Sequence, residues 1–122
     1  MTTVTVKDEA ATPSQQIIED ANRVVTVSDA KGRTFEIKRL DMAAEIRIVK
    51  ALSPENAEKN RYIALVNLAA CVVSINGERI SPCRTELQFD ALLERMGSDG
   101  FTAVAQGMRE NFMPASESDA KN

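Results

Sequence analysis

The sequence predicts an α+β fold, mainly helical, in which an N-terminal β-hairpin precedes four or so helices packed around a central apolar helix at about residues 54–74. Three observations predict it. Residues 24–38 alternate apolar and polar side chains about a turn, as a half-buried hairpin does. Tyr62 to Ile75 carries no charge and holds seven large aliphatics: Ile63, Leu65, Val66, Leu68, Val72, Val73 and Ile75. Residues 86–112 repeat their apolar positions at helical spacing.

In chain order, residues 1–22 read as a flexible acidic arm. Thr, Ser, Gln, Pro and acids dominate it, and only Ile17-Ile18 interrupt the polarity. A short helix from Pro13 to Ala21, capped by Thr12, is the other reading of that stretch. Residues 23–112 form one globular domain, and residues 113–122 a flexible polar tail. Within the domain, Val25 and Val27 share a face with Phe35 and Ile37, while Thr26, Thr34, Glu36 and Lys38 turn to water. Asp29-Ala30-Lys31-Gly32 is the turn between the two strands. Two strands alone are marginally stable, so this hairpin must lie on helices or on another strand.

Asp41 is placed to cap a helix from Met42 to Leu52. Met42, Ile46 and Val49 form one face, and Ile48 lies well round from Ile46. One wall cannot cover both, so the helix is either sandwiched or leaves aliphatic surface for a partner. Ser53-Pro54-Glu55 has the composition of a helix start, with serine as acceptor, proline at the first position and an acid at the positive dipole end. Asn76-Gly77 has two readings: a left-handed stop after the central helix, or the tip of a tight hairpin over Ser74–Ile80. A helix ending near Ser74 is preferred. Thr85 and Gln88 match a capping box for a helix from Glu86 to Met96, whose apolar face is Phe89, Leu92, Leu93 and Met96. Gly97 closes it. A last helix then carries Phe101, Val104, Ala105, Met108 and Phe112 on one stripe until Pro114.

The 122 residues suit one domain with a real core. The net charge of −3 sits in the terminal segments, since residues 23–112 hold 13 basic and 12 acidic side chains. No basic stripe argues for nucleic acid. A helix-turn-helix over residues 86–112 is disfavoured as well, because Arg109 is the single base of its second helix, beside Asp99 and Glu110. The uncharged run is too short to span a membrane, and Met1–Lys7 has no signal-peptide character. Two cysteines, Cys71 and Cys83, make no disulfide framework and fit a reducing cytoplasm.

Candidates for chemistry are few. There is no histidine, so the commonest general base and metal ligand is missing. Cys71 falls in the apolar run and reads as a small buried residue without an activating cation. Acid pairs such as Glu55/Glu58 and Glu86/Asp90 sit near helix starts, where acids are expected for the dipole alone. Gly97-Ser-Asp-Gly100 lacks the preceding strand and the lysine of a phosphate loop. The expectation is a non-enzyme with no cofactor and no metal.

The run VVTVSDAKGRTFEIKRLD, then ALSPENAEKNRYIALVNLAACVVSINGERI, then the Phe-rich closing helix, resembles the small tail assembly chaperones of long-tailed bacteriophages and prophages over roughly Arg23 to Phe112. That resemblance implies a mainly helical protein of the bacterial host cytoplasm. Such a protein binds the tape measure protein, helps recruit tail tube protein, and is absent from the finished virion. The candidate protein-binding face is Phe101, Val104, Met108 and Phe112, with Met113; methionines suit a surface that accepts varied partners. The same stripe has a second reading, completion of the monomer core. Homo-oligomers are allowed through Ile48 or the strip containing Asn67. Two other functional readings stand beside this one: a structural tail tube or joining protein of the virion, and a small regulatory or inhibitor protein acting through its acidic arm.

Overall fold

The computed structural model describes residues 22–112. The acidic arm, its short-helix alternative, the C-terminal tail and Met113 fall outside the described residues. Strands β1 (Val24–Ser28) and β2 (Thr34–Lys38) are followed by helix α1 (Met42–Ala51), a 3-10 turn (Asn56–Glu58) and helix α2 (Asn60–Ala69). Strands β3 (Val72–Ile75) and β4 (Glu78–Arg79) then lead into helix α3 (Glu86–Phe112). The sheet is four-stranded, antiparallel throughout, in the order β1-β2-β3-β4.

The hairpin forms as its alternation predicts, with Val25 opposite Ile37 and Val27 opposite Phe35. Phe35 and Ile37 are fully buried. Its turn is held by the buried Asp29 carboxylate, whose Oδ1 accepts the N–H groups of Lys31 and Arg33, both at 2.9 Å. Asp41 caps α1, its Oδ1 accepting from Ala44 N at 2.8 Å. Thr85 Oγ1 accepts from Gln88 N at 3.2 Å, while the Gln88 side chain accepts from Arg84 N at 2.6 Å.

The central helix differs from expectation. Ser53 Oγ does accept from Asn56 N at 3.3 Å, but the turn it caps is a 3-10 turn that ends at Glu58. A separate helix, α2, covers only Asn60–Ala69, and Val72–Ile75 is extended. The reason is pairing. Phe35 lies opposite Ile75 and Glu36 opposite Ser74, so β2 finds in β3 the neighbour that the hairpin needed. Ser74 donates its hydroxyl to Glu36 Oε1 at 2.6 Å across that pair. Asn76 (φ 52°) and Gly77 (φ 81°) form the tight turn that joins β3 to β4, which is the second reading of Asn-Gly. Asn76 also ties the turn to β2, donating its N–H to Thr34 O and accepting from Thr34 N through Oδ1. The fold is therefore α+β around a sheet, with three α-helices in place of a helical spine.

Helix α3 is broken at Gly97 (φ 65°, ψ −176°), a backbone region that only glycine occupies readily. Its first arm buries Phe89, Leu92 and Met96, and its second buries Val104 and Phe112. Phe89 joins Ile48 and Val66 in a small cluster beneath α1 and α2. Met96, Val104 and Phe112 belong to the main core with Phe35, Ile37, Val72 and Ile75. The second arm seats closely on the hairpin because Gly107 presents no side chain; a Cβ there would lie 2.6 Å from Val27 Cγ1 and 2.9 Å from Ile37 Cδ1.

Arg33 locks hairpin to helix. Its Nε donates to Asp29 Oδ2 at 2.7 Å, and Nη1 and Nη2 donate to the carbonyls of Arg95 and Met96 at 2.8 and 2.6 Å. A cation is thus placed on the unsatisfied carbonyls where the first arm ends, the favourable end of the dipole for positive charge.

Candidate protein-binding site

α1 carries apolar side chains on two opposite faces, and the fold covers one of them. Ala44 and Ile48 point inward, 8% and 4% exposed. Met42, Ile46 and Val49, spaced i, i+4 and i+7, lie on the outward face at 68%, 47% and 73% exposure. Those three side chains form a single stripe, because successive positions at this spacing stay within about 40° of one another round the helix. Glu45 and Lys50 lie exposed on α1 as well, so the stripe is apolar at its centre with charge beside it. Such an arrangement is what a helix-in-groove or helix-on-helix contact uses.

The support behind the stripe is rigid. Tyr62 on α2 donates its hydroxyl to Asp90 Oδ1 on α3 at 2.7 Å. Burial, together with this bond to a carboxylate, pushes the phenol above its ordinary range. Glu86 Oε2 accepts from Ser53 N at 2.5 Å and from the Asn56 side chain at 3.1 Å, tying the start of α3 to the segment that leaves α1. The Ser53 and Asn56 donors hold the Glu86 carboxyl below its usual value.

The residues singled out from the sequence have mostly different roles. Val104 is fully buried and Phe112 is 8% exposed, and both belong to the main core, against the sheet. Phe101 and Met108 are half-buried and pack on that same core. The stripe on α3 is therefore filled by the domain's own hairpin, and Met113 lies outside the described residues. Ile48, considered for oligomer contacts, is buried against Val66 and Phe89. The exposed trio on α1 was visible in the sequence as a helical face. Nothing in the spacing said which of α1's two apolar faces the fold would cover.

The thiols offer little reactivity. Burial pushes Cys71 up to about 11, and its S–H donates to Asn67 O at 3.4 Å. Burial raises Cys83 as well. Among the described residues no helix is long and apolar enough to cross a membrane. Comparison with protein-family models, with curated proteins and with solved structures found no match.

Proposed function

We propose that this protein is a non-catalytic tail assembly chaperone of the long-tailed phage type, which holds the tape measure protein along the outer stripe of α1 and helps recruit tail tube protein in the host cytoplasm. The observation that carries the reading is the uncovered Met42–Ile46–Val49 stripe on a helix whose other face is anchored. A holding protein needs apolar surface for a partner helix on a body that stays folded without it. The resemblance of residues 23–112 to that chaperone family names the partner.

The test is co-expression of the full chain with the tape measure protein, followed by affinity co-purification. Ile46→Ser with Val49→Ser should abolish recovery while leaving the thermal midpoint of the free protein unchanged, because both side chains already face water. Recovery at the wild-type level from that double variant refutes the assignment to α1. A virion component is the second reading, favoured by one observation: β1 has a single strand neighbour, so its outer edge is open to a neighbouring subunit. Finding the protein in purified particles supports that reading over the chaperone.

A further inference from the structure

Away from the α1 stripe, a cleft of about 370 Å³ opens between the end of β2, the start of α1 and the segment that follows β4. Its floor is apolar and includes Ala44, Ala69, Val72 and Phe89. Its walls carry four cations, Lys38, Arg39, Arg47 and Arg79, against the single carboxylate of Asp41. That carboxylate is already engaged as the α1 cap. Among the described residues no carboxylate forms an ion pair with Lys38, Arg47 or Arg79. In a chain whose net charge is −3, this is a local concentration of the opposite sign. Like charges gathered without counter-charges repel one another, and an anion relieves that repulsion.

We propose that this cleft binds an acidic polypeptide segment, with an aliphatic side chain on the floor and neighbouring carboxylates on Lys38, Arg47 and Arg79. Main-chain geometry favours a polypeptide over a free carboxylate. β4 is the edge strand and lines the cleft through Arg79. Ile80 spends its N–H on Val73 O, so by strand alternation Arg79 turns its own N–H and C=O away from β3. An extended peptide laid there gains hydrogen-bonding partners along the edge as well as charge pairing. This site is independent of the proposed contact on α1 and lies on a different face of that helix, the one carrying Ala44 and Arg47.

The test is fluorescence anisotropy on the full chain with a labelled Gly-Leu-Leu-Glu-Glu-Gly peptide, its Gln-Gln counterpart, its Ala-Ala-Glu-Glu counterpart, and octanoate. The Leu-Leu-Glu-Glu peptide should bind more tightly than both peptide counterparts. Arg47→Glu with Arg79→Glu should weaken it at least about tenfold, and Arg79→Gln, at an exposed position, should weaken it in the same direction. Added salt should lower the affinity. Equal binding of the Gln-Gln peptide, or undiminished binding by the charge-reversed protein, overturns the proposal. Binding of octanoate with the same arginine dependence, without binding of the peptide, also overturns it. Ile46→Ser with Val49→Ser should leave peptide affinity unchanged, so failure here and failure of the α1 reading are separable.

Discussion

Replacing Gly107 by alanine tests how closely α3 lies on the hairpin. The added methyl would sit 2.6 Å from Val27 Cγ1 and 2.9 Å from Ile37 Cδ1, against a comfortable carbon–carbon separation of about 3.5–4.0 Å. About 1 Å of movement is therefore required. Ile37 is fully buried and has nowhere to go, whereas Val27 is half-buried on the edge strand. Overpacking of this kind costs about 1–3 kcal/mol, and the short contacts place it toward the upper end. Alanine returns about 1 kcal/mol through helix propensity, leaving a net loss of about 1–2 kcal/mol. For a domain of this size that lowers Tm by about 4–16 °C. Circular dichroism melts and urea titrations read the change directly. Val27→Ala, mildly destabilising alone, should relieve the clash when combined with Gly107→Ala, giving favourable coupling in a double-mutant cycle. Gly97→Ala supplies the contrast. It meets no atom within 4 Å, so its expected loss of about 1–3 kcal/mol comes from backbone conformation and should show no coupling to Val27. A rise in Tm for Gly107→Ala, or no coupling with Val27, refutes the seating of this helix on the sheet.

Other outcomes follow from the same contacts. Burial alone would raise the Asp29 carboxyl, but hydrogen bonds from Arg33 and Lys31 and the Arg33 charge hold it below the ordinary value near 3.8. A lowered folded pKa means stability that is present above the ordinary value and lost as pH falls through the folded one, so the urea midpoint should drop in acid and drop less in Asp29→Asn. Phe112→Ala should destabilise the domain by about 3–5 kcal/mol, as loss of a core aromatic does; a change under about 1 kcal/mol would return Phe112 to the list of partner contacts.

The parts of the fold set by local chemistry could be read from the residues. The alternation on either side of Asp29–Gly32, the Asp41 cap, the Thr85–Gln88 pairing and the stop at Gly97 each depend on near neighbours in sequence. The central segment could not be read that way. Val72, Val73, Ser74 and Ile75 continue an uncharged run, and a short apolar run has no periodicity to separate strand from helix. Their β-branched content and the Asn76-Gly77 that follows were the signals pointing to a strand. The decisive influence was β2, some forty residues upstream, whose open edge they satisfy. The candidate site was half legible. Periodicity grouped Met42, Ile46 and Val49 correctly, but apolarity reports a preference for burial, and only the tertiary arrangement shows that Ala44 and Ile48 had that preference met. For α3 the reverse held: a stripe suited to a partner is closed by the hairpin.

The β2–β3 pairing also bears on how the chain matures during synthesis. Phe35 and Ile75 face each other across the sheet, so the hairpin emerging from the ribosome has one side of its pair without a neighbour until α1, α2 and the following turn have been made. Val104 and Phe112, which cover the same apolar surface, come later still. Contacts of such long sequence separation slow the final collapse, because the intervening loop must close before any of them is gained. Through that interval the nascent domain is itself a polypeptide with uncovered aliphatic and aromatic groups, and its exposure ends only when the last helix is complete.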